Sequence, residues 1–202
     1  TRVLSRFTLT PDSSGQDLRL QGEHLTLICA TINGTPIRAT PDATGLTIAA
    51  ADLSDTPFTW EAEVEINPAA NTALEGLYMS NGMYCTQCEA EGFRRITFYP
   101  DRPDVMAVFT VRVESDMPVL LSNGNLVEQG TGFAIWHDPW PKPAYLFALV
   151  AGDLQSIHDS FTTASGRKVD LGIYVRAGDE DKCDFAMGAL KRSMIWDEQV
   201  YG

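Results

Sequence analysis

Apolar and polar residues alternate along most of this chain with a period of two. Trp60, Ala62, Val64 and Ile66 interleave with Glu61, Glu63 and Glu65, the pattern of a strand with one buried face. The pattern recurs over Val105–Glu114, where Phe109, Val111 and Val113 alternate with Thr110, Arg112 and Glu114, and again at Val169, Leu171, Ile173 and Val175. Phe133–Asp138 and Leu25–Thr31 are shorter cases. The chain opens in the same alternation, with Val3, Ser5, Phe7 and Leu9 and no initial Met, so residues upstream of Thr1 are expected. Asn33-Gly34, Asn81-Gly82, Asn123-Gly124 and Ser165-Gly166 supply turns between the runs. Strands at this spacing predict an all-β, antiparallel, sandwich-like fold. No alternation of strand and helix supports a doubly wound sheet. Ala144–Ala151 (AYLFALVA) has the length of a buried strand, and Asp138–Pro143 (DPWPKP) is too rich in proline for a central strand and predicts a rigid bend.

One segment follows a different period. Asp179, Glu180 and Asp181 place negative charge where a helix N-terminus favours it. Cys183, Ala186, Met187, Leu190 and Met194 then fall on one helical face. This predicts a helix over Asp181–Gln199, with the stripe as a core contact. The chain therefore divides into a β domain at 1–178 and a helical segment at 179–202. A terminal helix with Trp196 left to pack is expected to mark a boundary toward a further domain.

Charge narrows the partners. Of 202 residues, 15 are Lys or Arg and 27 are Asp or Glu, a net charge of −12. That acidity disfavours non-specific contact with nucleic acid or anionic membrane and suits a cationic partner. No apolar run approaches the roughly 20 residues of a membrane helix. The four cysteines, Cys29, Cys85, Cys88 and Cys183, are too sparse for a disulfide scaffold, so free thiols in a reducing, cytoplasmic setting are expected.

The stretch with most chemistry is Cys85–Arg94, CTQCEAEGFR. A structural zinc site needs four ligands. Cys29, Cys183, His24, His137 and His158 stand apart in sequence and supply no second half. A redox C-x-x-C opens a helix after a strand, whereas Glu91–Tyr99 reads as loop and then strand. No H-E-x-x-H, Walker loop, G-x-G-x-x-G or G-x-S-x-G is present. What remains is Gln87, Glu89, Glu91, Arg94 and Arg95 beside Gly76, Gly82 and Gly92. In strand geometry Gln87, Glu89 and Glu91 share a face that would suit a cationic group. A solvated polar face with internal Glu–Arg pairs is the commoner arrangement, and both readings stand on the residues alone.

Longer segments carry a resemblance. Asn67–Val113 reads NPAANTALEGLYMSNGMYCTQCEAEGFRRITFYPDRPDVMAVFTVRV, followed by LLSNGN at Leu120–Asn125, DPWPKPAYLFALVAGDL at Asp138–Leu154, FTTASGR at Phe161–Arg167 and MGALKRSMIWDEQVYG at Met187–Gly202. These closely resemble the N-terminal domain of the zinc-dependent aminopeptidase N family, bacterial alanyl aminopeptidases most of all. The resemblance covers most of the chain and is weakest before Leu18.

The resemblance implies a saddle-shaped, β-sandwich-like domain that packs over a thermolysin-like catalytic domain absent from this sequence. In such enzymes the H-E-x-x-H zinc ligands and the G-A-M-E-N motif lie in that second domain. There zinc polarises the scissile carbonyl and activates water, with a glutamate as general base. The family's zinc is thus expected in a full-length parent, with no metal ligand and no catalytic residue in this chain, which alone is expected to be inactive. Its partners would be the peptide N-terminus and its own catalytic domain, with no nucleic acid and no membrane. By the same resemblance, Glu89 helps bind the substrate α-ammonium and Gln87 lines the pocket for the first side chain. The cysteines are treated as small buried residues. Arg94, Tyr99, Asp101 and Asp104 receive no catalytic role, and FYPDRPD is a structural turn. His137 and His158 are expected as surface or satisfied sheet residues, and Trp136, Trp140 and Tyr145 as packing. The rival reading is a stand-alone β-sandwich binding module without catalysis.

Overall fold

The structure, a computed structural model, describes residues 1–10 and 15–202. Its strands are β1 (Arg2–Leu9), β2 (Leu18–Gln21), β3 (Thr26–Ile32), β4 (Thr35–Pro36), β5 (Gly45–Ile48), β6 (Phe58–Glu65), β7 (Gly76–Ser80) and β8 (Met83–Gln87), then β9 (Met106–Glu114), β10 (Val119–Ser122), β11 (Asn125–Gly130), β12 (Phe133–Pro143), β13 (Leu149–Gly152), β14 (Gln155–Thr162) and β15 (Lys168–Val175). One α-helix follows among the described residues, α1 (Asp184–Tyr201). The antiparallel sheets are what the alternation predicted, and the C-terminal helix what the acidic residues and helical spacing after Gly178 predicted.

By packing the chain divides into Thr1–Ala151 and Gly152–Gly202. The division drawn from sequence at 178/179 instead follows the change from strand to helix.

In the first unit the sheets run β1-β6-β3-β4, β10-β13-β8-β7, β11-β12-β9 and β2-β5. β6 is central in its sheet, and Phe58, Trp60, Ala62 and Val64 all point inward at 5% exposure or less. They join Leu20, Leu46 and Ile48 of the β2-β5 pair and Phe93, Ile96, Phe98 and Tyr99 in one core. Two Asn-Gly pairs close hairpins with both residues at positive φ: Asn33 and Gly34 between β3 and β4, Asn81 and Gly82 between β7 and β8. This is the type I′ geometry that matches strand twist.

Three expectations are corrected. DPWPKP does not end its strand. β12 continues to Pro143, with a register shift between Asp138 and Lys142 that absorbs Pro139-Trp140-Pro141. Beyond His137, among the described residues, only β9 pairs with β12, so the prolines lie where one ladder edge has no such partner and need no N–H. AYLFALVA is not one strand but a 3-10 turn at Ala144–Leu146 followed by β13. Residues Glu91–Tyr99 are not loop and strand. They form a 3-10 helix at Gly92–Arg95 and then an irregular segment whose Tyr99 pairs with Gln21.

In the second unit β14 and β15 form a hairpin closed at Ser165-Gly166. The helix begins three residues later than expected, after a 3-10 turn at Glu180–Lys182. Cys183 and Met187 are buried and Met194 half-buried as the stripe required, but Ala186 and Leu190 are exposed. The inward line runs instead through Lys191 and Glu198, which ion-pairs Asp159 and accepts the Ala164 N–H at 2.9 Å respectively. Polar tips on this face follow from a two-stranded hairpin too small to bury a full apolar stripe. No helix among the described residues is long and apolar enough to cross a membrane.

His137 Nδ1 meets the Thr110 hydroxyl at 2.8 Å and His158 Nε2 meets Ser156 at 2.9 Å, as satisfied sheet residues. The Trp136 indole donates to the Leu120 carbonyl at 3.0 Å, and Tyr145 is half-buried. Trp140 departs from the packing role, being 77% exposed.

Candidate functional site: the loop after strand β8

The site begins where the β7–β8 ladder ends. Its last register pair is Gly76 with Gln87. Past Gln87 the chain leaves strand geometry, so Gln87, Glu89 and Glu91 do not share a strand face as expected. Cys88 turns inward and is 3% exposed. Burial, and then the nearby Asp101 charge, push its thiol up to about 12, which keeps it neutral and inert. Gln87 and Glu89 on either side are exposed. The Gln87 Nε2 donates to the Glu89 carbonyl at 3.1 Å, and the Glu89–Ala90 peptide is cis. The Gly92 N–H closes the loop onto the Cys88 carbonyl at 2.8 Å.

Three backbone segments meet at this closure. A Cβ on Gly92 would lie 2.2 Å from the Gln87 carbonyl oxygen and 2.8 Å from the Gly76 nitrogen. Gly76 sits at φ +70°, and a Cβ there would meet the Arg95 Cβ at 2.7 Å. Both glycines are required by close approach, Gly76 by its φ as well.

The loop's C-terminal stem is held by packing. Phe93 is 6% exposed and its ring meets Tyr99 and Phe147 edge-on at 5.1 Å and Phe109 at 5.9 Å. Arg95 reaches Glu23 and Glu75, each at 3.2 Å. Arg94 turns the other way, onto the buried Asp101 at 3.1 Å and onto Glu91 at 3.2 Å. The turn role expected for FYPDRPD holds for Asp104, which pairs with Arg102. Asp101 does more, since it anchors the stem. Sequence reasoning did not find that pairing, because Pro100 and Pro103 break any periodicity that would have placed Asp101 beside Arg94.

The electrostatics separate the two loop carboxylates. Glu91 is taken by Arg94. The Glu89 carboxylate has no hydrogen bond or ion pair among the described residues. Around the loop, two guanidiniums (Arg94, Arg95) face five carboxylates (Glu23, Glu75, Glu89, Glu91, Asp101), and Glu89 is the one left over. Such a group, exposed on a fixed loop, can receive a cation by charge-assisted hydrogen bonding. The adjacent hollow of about 310 Å³ is lined by His24, Asn67, Asn71, Leu77 and Arg95 among others, but by neither Gln87 nor Glu89. Within this unit the two predicted residues stand on an open surface. Among the described residues no three His, Cys, Asp or Glu side chains come together as a metal site.

Comparison with known proteins agrees with the resemblance. The Peptidase M1 N-terminal domain family matches residues 13–146. Aminopeptidase N of Caulobacter vibrioides is 51% identical across 100% of this chain and 24% of its own length. Aminopeptidase N of Escherichia coli is 50% identical across 94% of this chain and 22% of its own length. The crystal structure of Legionella pneumophila aminopeptidase A in complex with aspartic acid superposes with a TM-score of 0.91 at 37% identity, covering 99% of this chain and 25% of that one. This chain thus spans about a quarter of the length of the relatives it matches. The family match and the identity across the whole chain lead to one conclusion: this protein belongs to the family of peptidase M1 N-terminal domains.

Proposed function

We propose that this chain is the N-terminal part of a zinc-dependent aminopeptidase that removes N-terminal amino acids from peptides. In that enzyme it walls one side of the substrate cleft. Glu89 receives the substrate α-ammonium and Gln87 lines the pocket for the first side chain. The observation that carries the reading is the unpaired, exposed Glu89 carboxylate beside four other carboxylates that each have a guanidinium partner. A fixed carboxylate at a set distance from the reacting carbonyl selects the first peptide bond. The open surface around it supports a second wall supplied by the protein's own catalytic domain.

The aminopeptidase reading is favoured over a stand-alone binding module by relatives that are named aminopeptidases and are about four times longer. Zinc, which in such an enzyme polarises the scissile carbonyl and activates water, would be held, as the family resemblance implies, by residues outside this chain. A reducing, cytoplasmic setting is part of this proposal, on the ground that four cysteines in 202 residues are too few for a disulfide scaffold.

The test is Glu89→Ala in the full-length protein, assayed on an amino-acid anilide with a free amine. A lost hydrogen bond to a charged group is worth roughly 1.5–3 kcal/mol, so kcat/KM is expected to fall about ten- to a hundredfold. An unchanged kcat/KM removes the amine anchor. Gln87→Ala is expected to act more mildly and to alter the preference for the first side chain.

A further inference from the structure

A chain of polar contacts ties the C-terminal stem of the Glu89 loop to the core. The Asp101 side chain is 3% exposed. Its Oδ2 accepts both the backbone N–H and the Nε–H of Arg94, each at 3.1 Å. The Arg94 Nη2 donates to the Asp101 carbonyl at 3.1 Å, and the Asp101 N–H donates to the Gln21 Oε1 at 2.9 Å. Gln21 in turn pairs with Tyr99 through both backbone groups, at 2.9 and 3.1 Å. The remaining arm of Arg94, Nη1, reaches outward to Glu91 at 3.2 Å.

A buried carboxylate on a mostly buried guanidinium is costly to desolvate, and comparable apolar packing would serve stability as well. What the pair adds is direction. A planar guanidinium held at Nε and Nη2 has no freedom left at Nη1. Its outward arm therefore stands at a set place, where the exposed Glu91 carboxylate pairs with it, and the Arg94 N–H to Asp101 bond holds this stem of the loop, while the Gly92–Cys88 hydrogen bond and buried Cys88 hold the other end. Glu89 lies between these two ends.

We infer that Arg94 and Asp101 are positioning residues for the amine anchor, setting where the Glu89 carboxylate stands without touching substrate. The inference rests on Glu89 being that anchor. It assigns a role to two residues for which neither spacing nor resemblance indicated one.

The test uses the full-length protein with Arg94→Gln, Glu89→Ala and the two combined, assayed on a free-amine amino-acid anilide, with thermal midpoints measured alongside. Arg94→Gln is expected to raise KM about three- to tenfold with kcat within about twofold, as for a displaced binding group. Because Arg94 acts through Glu89, the double variant is expected to match Glu89→Ala alone within about twofold in kcat/KM. Arg94→Lys keeps a donor for Asp101 but not the second arm. It is expected to fold and still to raise KM, which covers the case in which Arg94→Gln does not fold. Losses that multiply in the double variant, or an unchanged KM in a folded Arg94 variant, overturn the inference and leave the anchor standing. An unchanged Glu89→Ala removes the anchor itself, and the positioning role with it.

Discussion

Gly92→Ala sets two opposite effects against each other, and the structure says which is larger. Gly92 opens the 3-10 helix after the Glu89 loop and is not among the residues at positive φ. On backbone grounds alone, alanine should stabilise by about 0.4–1 kcal/mol, by reducing the freedom of the unfolded chain. The steric term runs the other way. The new Cβ would lie 2.2 Å from the Gln87 carbonyl oxygen and 2.8 Å from the Gly76 nitrogen. Both obstructions are backbone, at the closing pair of the β7–β8 ladder, so no side chain can rotate away. Overpacking of this kind costs about 1–3 kcal/mol, enough to outweigh the entropic gain. At this chain length each kcal/mol moves the midpoint by about 2–4 °C, so thermal unfolding followed by tryptophan fluorescence should show a fall of several degrees. Gly188→Ala is the matched control. It lies in α1, where the nearest obstruction is the far end of the long Arg192 side chain at 3.1 Å, and helix propensity favours alanine by about 0.8–1 kcal/mol. A Gly92→Ala midpoint at or above that of the unaltered chain would refute the three-segment contact.

Two further outcomes are expected. Burial holds the Cys88 thiol at about 12 against an ordinary 9.0, and the Tyr99 hydroxyl at about 12 against 10.0. Both raised values favour the protonated form in the fold. Their contribution is complete below about pH 9 and is lost as pH rises toward 12. Urea midpoints should therefore fall across that window, and Cys88→Ala should delay the onset to near pH 10, where the Tyr99 hydroxyl and the Tyr78 hydroxyl, raised by its hydrogen bond to Cys85, still contribute; a midpoint flat from pH 8 to 11 would contradict this. The 202-residue chain by itself, dialysed against zinc, should retain less than one equivalent and hydrolyse no amino-acid anilide. Stoichiometric zinc released by thiol alkylation would instead assign a metal to the cysteines.

The strands and the resemblance were legible because each rests on local order. Period-two alternation around Trp60 can bury one face in only one register, and β6 adopts it. Asn33-Gly34 and Asn81-Gly82 bend the chain wherever they occur, since Asn and Gly tolerate the positive φ that a type I′ turn demands. Negative charge before Cys183 announced a helix, though its inward face was misjudged, because apolar spacing alone does not show that Lys191 and Glu198 have hairpin partners.

The tertiary structure alone decided the state of the charges. Gln87, Glu89, Glu91 and Arg94 could be named as candidates from the order of residues, but that order assigns no partners. Arg94 selects Asp101 and Glu91, Arg95 selects Glu23 and Glu75, and Glu89 is left without one. Ion pairing depends on distances of a few ångströms and on burial. Those distances arise only when β2, the β8 loop and the turn at Asp101 close around Phe93 and Tyr99. Alternation and turn chemistry act between neighbours and survive in a linear sequence, whereas the matching of charges is a property of the packed chain.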